Sequence, residues 1–422
     1  ELRKGYAGKG KDICSLYPAV QFFDDLPYGL PRNREYTDED QHEFSLDDTF
    51  GFVECDVTCP QDVTIPVLGA KKDGKFVFDL KPIKRQLLCT PELEVAVKHG
   101  YIITHVYKTI TFKKTKELFK KYMRKCVKGK IEANGFNGTD EERAQYVAAV
   151  EKQLGVTLGP LKKNAGKKAV FKLSCNSLWG KLGQRPNMPK NHYTKSIGEF
   201  QKYVRQAKEG KINILEREHC GDCVFLTYEE CDESHMSLAK TNIALCAMIT
   251  SHARCRLFDL MGKLGERMVY GDTDSVYYET WPGAWEPDTG TMLGEWEDEF
   301  EDGTHWVEMA ALAPKTYAYR TNKGAYSVKS KGMTLNKRNY DVVNFDTYRE
   351  MVLKQRETLV GDQMLFSKSK RGMVTKHTEK VLTMDRDRFK RRIMPDGSTR
   401  AWNCKDTVMR ELKEARPPMC TV

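Results

Sequence analysis

Val269-Tyr270-Gly271-Asp272-Thr273-Asp274-Ser275-Val276-Tyr277-Tyr278 sets two carboxylates one residue apart between two runs rich in valine and tyrosine. β-Branched and aromatic residues flanking a short step that contains Gly and Asp predict a β-hairpin with acid at its tip. Along a straight strand, residues two apart face one side. At a tight turn they diverge, so that one carboxylate can hold a hard divalent cation while the other supports it. An isolated Asp-x-Asp is most often an ordinary solvated turn. The stretches before and after it decide otherwise.

Far upstream, Lys11-Asp12-Ile13-Cys14-Ser15-Leu16-Tyr17-Pro18 is a mixed run stopped by proline, followed by the turn-rich Leu26-Pro27-Tyr28-Gly29-Leu30-Pro31. It predicts a strand ending near Asp12 and then a turn. A carboxylate at a strand end, followed by free amides, suits a cation on Asp12 and phosphate oxygens on the amides, with Tyr17 as a wall. A Ser-capped helix start with a buried tyrosine is the competing reading. Midway, the stretch from Lys167 to Gly180 predicts a helix with Lys168, Lys172, Asn176 and Trp179 on one face. Charge, an amide and a flat ring together suit a triphosphate and a stacked base. Downstream, Pro314-Lys315-Thr316-Tyr317-Ala318-Tyr319 predicts a strand that sends Lys315 and Tyr317 to one face. That pair suits a phosphodiester backbone held without reading its sequence.

The chain of 422 residues is long enough for two to four subdomains. No apolar run long enough to span a bilayer and no signal peptide is visible in it. Its N-terminus, Glu1-Leu2-Arg3-Lys4-Gly5, is read as a point inside a longer product. Thirteen cysteines without a framework spacing predict reduced thiols in an intracellular protein. A net charge of +10, from 69 basic and 59 acidic residues, fits a polyanion partner if the basic residues cluster. They are uneven: Lys113 to Lys130 and Lys368 to Arg392 are basic, and Glu295 to Glu308 is an acidic block read as a solvated face.

Between these landmarks, Phe50 to Phe112 alternates β-type runs (Gly51 to Val57, Thr64 to Leu68, Lys75 to Phe78, Tyr101 to Phe112) with a helix from Thr90 to His99, capped by Thr90-Pro91 and Gly100. Thr115 to Lys128 predicts a basic amphipathic helix, and Glu141 to Leu154 another. Gly183 to Ser237 reads as irregular. Its Cys220-Gly221-Asp222-Cys223, with Cys231 and His235, is a weak zinc-knuckle pattern in what looks like a hairpin. A long apolar-striped helix then runs from about Leu238 to Leu264. The C-terminal part, through Asp346 to Leu359 and Arg386 to Arg392, reads as a small helical and hairpin subdomain with a positive surface.

In order, Asp-x-x-Ser-Leu-Tyr-Pro, Lys-x-x-x-Asn-Ser-x-Trp-Gly, Tyr-Gly-Asp-Thr-Asp-Ser and Lys-x-Tyr closely resemble the motifs of family B DNA polymerases. The insert after the first motif, Cys89 to Leu93, Gly183 to Asn187 and Lys315-Thr316-Tyr317 look like the protein-primed branch, and within it the polymerases of Polinton (Maverick) elements, related viruses and linear plasmids. The resemblance covers nearly the whole chain. It implies an α+β right-hand fold: palm at 1–49 and 238–335, a first terminal-protein-region-like insert at 50–112, fingers at 113–182, a second such insert at 183–237, and a thumb-like region at 336–422.

The resemblance further implies Asp12, Asp272 and Asp274 as catalytic, with two Mg²⁺ ions, replaceable by Mn²⁺, held by Asp12, Asp274 and the Ile13 carbonyl. Ser15, Leu16, Tyr17, Lys168, Lys172, Asn176 and Trp179 would bind the nucleotide, Tyr17 excluding a ribose hydroxyl. Thr273, Ser275, Lys315 and Tyr317 would meet DNA. The implied partners are a primer-template and deoxynucleoside triphosphates, with no membrane; whether priming uses a terminal protein is left open. The implied compartment is intracellular, and nuclear for a eukaryotic mobile element. Two departures stand out: Trp179 replaces a usual Tyr, and Cys14 a common Asn. The proofreading exonuclease that usually precedes the palm has no assignable residues here. A truncated polymerase-like protein that binds DNA without turnover remains the alternative, and a reverse transcriptase or RNA polymerase is disfavoured by Ser15-Leu16-Tyr17-Pro18.

Overall fold

The computed structural model describes residues 2, 4–72, 75–185, 187–220, 223–231, 241–353, 358–369, 372–383, 391–393 and 399–403. The chain opens with strand β1 (Ala7–Ile13) and helix α1 (Leu16–Phe23). The helix runs through Pro18, where a turn was expected, because a proline in the first turn removes no intrahelical hydrogen bond. Ser15 precedes it in the left-handed region, at φ 59°, without a side-chain cap. The proline-rich run that follows is also not a turn. It is strand β2 (Leu26–Glu35), an exposed edge strand with a register shift between Tyr28 and Arg32, the setting in which strand prolines are tolerated.

The first insert comprises β3 (Gly51–Thr58), β4 (Ala70–Lys72), β5 (Lys75–Val77), β6 (Ile83–Cys89), α2 (Thr90–Lys98) and β7 (Ile102–Thr115). An antiparallel sheet in the order β2-β7-β3-β6 packs Val53, Val57, Leu88 and Val106 against Leu93 and Ala96 of α2. Thr64 to Leu68 is not a strand, and β6 was not foreseen. Cys89 rather than Thr90 is the N-cap of α2; the Thr90 hydroxyl accepts from the Gly51 amide instead.

Three helices follow: α3 (Lys120–Asn134), α4 (Asp140–Leu154) and α5 (Ala165–Leu182). Thr139 and Glu142 close a capping box at the start of α4, and Asn164 caps α5. Gly129 lets α3 approach α5: a Cβ there would stand 2.3 Å from the Phe171 ring. Met123, Cys126, Val127 and Cys175 join Ala19 and Phe22 of α1 in one core. The next segment is ordered rather than irregular. It holds β8 (Lys190–Thr194), α6 (Ile197–Lys208), β9 (Ile212–Cys220) and β10 (Cys223–Glu230), in the sheet order β8-β10-β9. Cys220 and Cys223 end a hairpin; His235, the outlying zinc candidate, lies outside the described residues.

Helix α7 (Ile243–Leu264) leads into β11 (Met268–Asp272), β12 (Ser275–Thr280), β13 (Trp296–Asp298), β14 (Trp306–Ala313), β15 (Thr316–Thr321) and β16 (Tyr326–Lys329). With β1 they form a seven-stranded antiparallel sheet, β11-β12-β1-β14-β15-β16, with β13 also on β1. Alternation along β12 explains its burial on both faces. Val276 and Tyr278 meet Leu260 and Leu264 of α7, whereas Tyr277 meets Trp306 and Tyr317 on the other side. Helix α8 (Phe345–Leu353) covers β14 and β15 through Phe345, Tyr348 and Met351. The hairpin β17 (Thr358–Ser369) and β18 (Gly372–Thr383) and the short pair β19 (Arg392–Ile393) and β20 (Thr399–Arg400) follow. The basic run Arg386 to Lys390 lies outside the described residues. No helix among those described is long and apolar enough to cross a membrane.

Candidate active site

The expected hairpin is present: β11 ends at Asp272, β12 begins at Ser275, and Thr273 and Asp274 make the two-residue turn. Thr273 takes φ 61°, the left-handed value for which glycine is the usual residue; Gly271 sits instead within the strand. The turn is held by the Asp274 amide on the Asp272 carbonyl at 2.7 Å and by the Ser275 hydroxyl on the same oxygen at 3.2 Å.

Strand β1 lies beside this tip. Asp12 pairs in register with Ser275, and the Ile13 amide donates to the Asp274 carbonyl at 3.0 Å. On its other side Asp12 pairs with Glu297 of β13. Burial, then the charges of Asp274, Glu297 and Glu299, push the Asp12 carboxyl up to about 7, against the pull of Lys172. Burial and Asp272 also raise Asp274, while Lys315 and Lys172 draw it down. Both half-buried carboxyls are thus raised, first by burial and then by neighbouring acids, Asp274 acting on Asp12 and Asp272 on Asp274.

The site thus draws in residues that the sequence reading set aside. Glu297 belongs to the acidic block read as a solvated face. Nothing in its spacing marks it, because only the annealing of β13 onto β1 brings it to Asp12. Lys130 of α3 was likewise missed; its ammonium donates to the Ser15 hydroxyl at 2.6 Å.

Helix α5 stands over this end of the sheet. Lys172 and Asn176 are exposed on it, and Trp179 stacks on Tyr17 of α1 with ring centroids 4.1 Å apart and planes 14° from parallel. Lys168 donates to the Asn134 side chain at the end of α3. Leu16 is buried in the core with Val20 and Met248, so its side chain presents no surface to a nucleotide.

Lys315 is not a strand residue as expected. It occupies the turn between β14 and β15 at φ 61°, because β15 begins only at Thr316. Its ammonium lies 2.9 Å from Asp272 and also donates to the Thr273 hydroxyl. Tyr317, expected beside it, is only 3% exposed, with its hydroxyl 3.2 Å from that of Tyr277. Alternation past the turn sends it inward, so a direct contact of its hydroxyl with DNA is not available in this arrangement.

Among the described residues no three His, Cys, Asp or Glu side chains converge on one metal position. The donor set at the tip is instead the two carboxylates of Asp12 and Asp274. It fits Mg²⁺, which keeps waters and binds through one or two carboxylates plus substrate phosphates. Both carboxyls are raised by burial and by neighbouring acids, an excess of negative charge that a divalent cation would neutralise.

Residues 8–148 match the family model of DNA polymerase type B, organellar and viral. No curated protein matches the chain. Among solved structures it is similar to Phi29 DNA polymerase complexed with primer-template DNA and incoming nucleotide substrates, at 20% identity and a TM-score of 0.56, covering 90% of this chain and 58% of that one. The post-translocation binary complex of the same polymerase with primer-template DNA gives 19% and 0.55 with the same coverage. The chain therefore spans 58% of the length of these structures. At such identity the likeness is one of architecture, and the chain has the α+β polymerase fold.

Proposed function

We propose that this chain is the catalytic portion of a template-directed DNA polymerase of the protein-primed type B kind, Polinton-like, adding deoxynucleotides to a primer 3′-hydroxyl or to a protein hydroxyl. The observation that carries the reading is the meeting of Asp12, near the end of β1, and Asp274, in the adjacent β11–β12 turn, within the field of Lys172. In this reading 1–49 and 238–335 are the palm, 113–182 the fingers, 336–422 the thumb, and 50–112 and 183–237 the inserts.

Asp12, Asp274 and the Ile13 carbonyl would hold two Mg²⁺ ions, or Mn²⁺. Bound there, they supply Lewis-acid stabilisation of the attacking oxygen and the leaving pyrophosphate. Lys172 opposes the triphosphate charge, with Lys168 one turn away as a helper once released from Asn134. Tyr17 lies under the sugar and bars a ribose hydroxyl; Trp179 and Asn176 line the nascent pair. Asp272 orients Lys315 toward the primer phosphates beside Thr273 and Ser275.

The test is primer extension with Mg²⁺ by the wild type and by Asp274→Ala. Extension lost in the variant supports the site, and equal activity overturns it. Salt-sensitive DNA binding with no incorporation, even with Mn²⁺, would mark a polymerase-like binding protein instead.

A further inference from the structure

Two hairpin tips meet at the site, and each has a non-glycine residue in the left-handed region: Thr273 between β11 and β12, and Lys315 between β14 and β15. Pro314 before a residue of positive φ is the pattern of a type II turn, whose third position ordinarily takes glycine. A lysine there carries backbone strain that its surroundings must offset. The Lys315 side chain reaches across to Asp272 and Thr273, but this does not fix its own turn.

The fixing group is Tyr270. Its hydroxyl accepts from the Lys315 amide at 2.8 Å and donates to the Ala313 carbonyl at 3.2 Å, so it spans the β14–β15 turn from both ends. Ala313 and Thr316 are paired in register directly below. The Tyr270 ring is itself held on Tyr317, with centroids 4.5 Å apart, and Tyr317 is fixed through Tyr277. This gives the buried Tyr317 a place in the arrangement that does not require it to touch DNA.

We infer that Tyr270 is a positioning residue that locks the Pro314-Lys315 turn against the Asp272-Asp274 hairpin and so presents the Lys315 ammonium to the primer backbone. The inference rests on the polymerase reading above. A phenylalanine keeps the ring and its packing on Tyr317 but removes both hydrogen bonds. The turn then loosens, and Lys315 no longer holds a fixed phosphate.

The experiment compares the full chain with Tyr270→Phe, Lys315→Ala and the double variant. Fluorescence anisotropy follows binding to a labelled recessed primer-template across a range of salt. Losing one phosphate contact lowers the slope of log K against log salt by about 0.9. Lys315→Ala is expected to show that loss, Tyr270→Phe most of it, and the double variant no more than Lys315→Ala. A wild-type slope in Tyr270→Phe, or losses in the double variant equal to the sum of the two singles, would overturn the proposal. If circular dichroism shows Tyr270→Phe to be misfolded, Pro314→Gly loosens the same turn from its other side. It must then lower the slope, and an unchanged slope overturns the proposal equally. A wild type that binds primer-template with steep salt dependence yet incorporates nothing would sink the polymerase reading and leave the positioning role of Tyr270 intact. Extension-competent wild type with an unaffected Tyr270→Phe slope is the reverse result.

Discussion

Tyr17 and Trp179 stand 162 positions apart in the chain, on α1 and α5, yet their rings stack at 4.1 Å and 14°. The stack joins α1, the helix that follows the strand of Asp12, to the helix that carries Lys172. In the proposed polymerase reading, a nucleotide bound against Tyr17 and Trp179 parts the two rings, which costs their contact energy, about 0.5 to 1.5 kcal/mol beyond burial. Saturating deoxynucleoside triphosphate is therefore expected to change the tryptophan emission of the wild type and to leave that of Trp179→Tyr nearly unaltered, as read by titration fluorescence. Tyr17→Ala is expected to raise ribonucleotide incorporation relative to deoxynucleotide by tenfold or more, on the order of 1.4 kcal/mol. An unchanged ratio in single-nucleotide extension would remove Tyr17 as the sugar gate.

The two acids of the turn are not equivalent. Asp274 faces Asp12, whereas Asp272 is joined to Lys315. Asp274→Asn should reduce kcat by at least 10³-fold, in line with loss of a group that touches the reacting atoms. Asp272→Asn should cost about 10- to 100-fold, the usual loss for a residue that orients another. Single-turnover extension at saturating primer-template separates the two.

Stability should depend on pH with a sign opposite to that of a salt-bridged carboxylate. Asp12 is raised to about 7 in the folded chain, so between the ordinary carboxylate range and about pH 7 the folded state holds a proton that the unfolded state has released. Stability from this group is present below that window and is lost as pH rises through it. A bound cation removes the penalty. Calcium, used without substrates, should therefore raise Tm more at about pH 8 than at about pH 6. Equal gains in calorimetry would contradict the electrostatics of the site.

Glu297 contributes to that raised value from the neighbouring strand. Glu297→Gln should move the acidic midpoint of the extension rate to lower pH, because one like charge is gone. A role limited to holding β13 would change the amplitude of the profile and leave the midpoint in place.

Leu93 is fully buried between α2 and the first insert's sheet, with Phe258 of α7 in the same core. Leu93→Ala should cost about 2 to 5 kcal/mol in urea unfolding. A loss near zero would mean that this core does not tie the insert to the long helix.

Composition and local pattern determined the elements whose signals are local. The Asp272-Asp274 hairpin follows from its flanking valines and tyrosines, α4 from the helical pattern of Glu141 to Leu154, and α2 from Pro91 in its first turn and Gly100 after its end. The ordered motifs also marked Asp12, Lys172, Trp179 and Lys315 as chemistry-bearing residues. Propensity misread the prolines. Pro18 lies in a helical first turn and Pro27 and Pro31 on an edge strand, where the missing amide has no partner to lose. Only the tertiary structure decided which acids confront one another. Glu297 reaches Asp12 through a three-residue strand annealed to β1, a pairing no periodicity encodes. It also decided that Lys315 points to the site while Tyr317 turns into the core, because a positive φ at Lys315 ends the turn and sets the strand's alternation one residue later. Long-range strand pairing and a strained turn are settled by packing across hundreds of residues, and a local window of sequence does not contain that information.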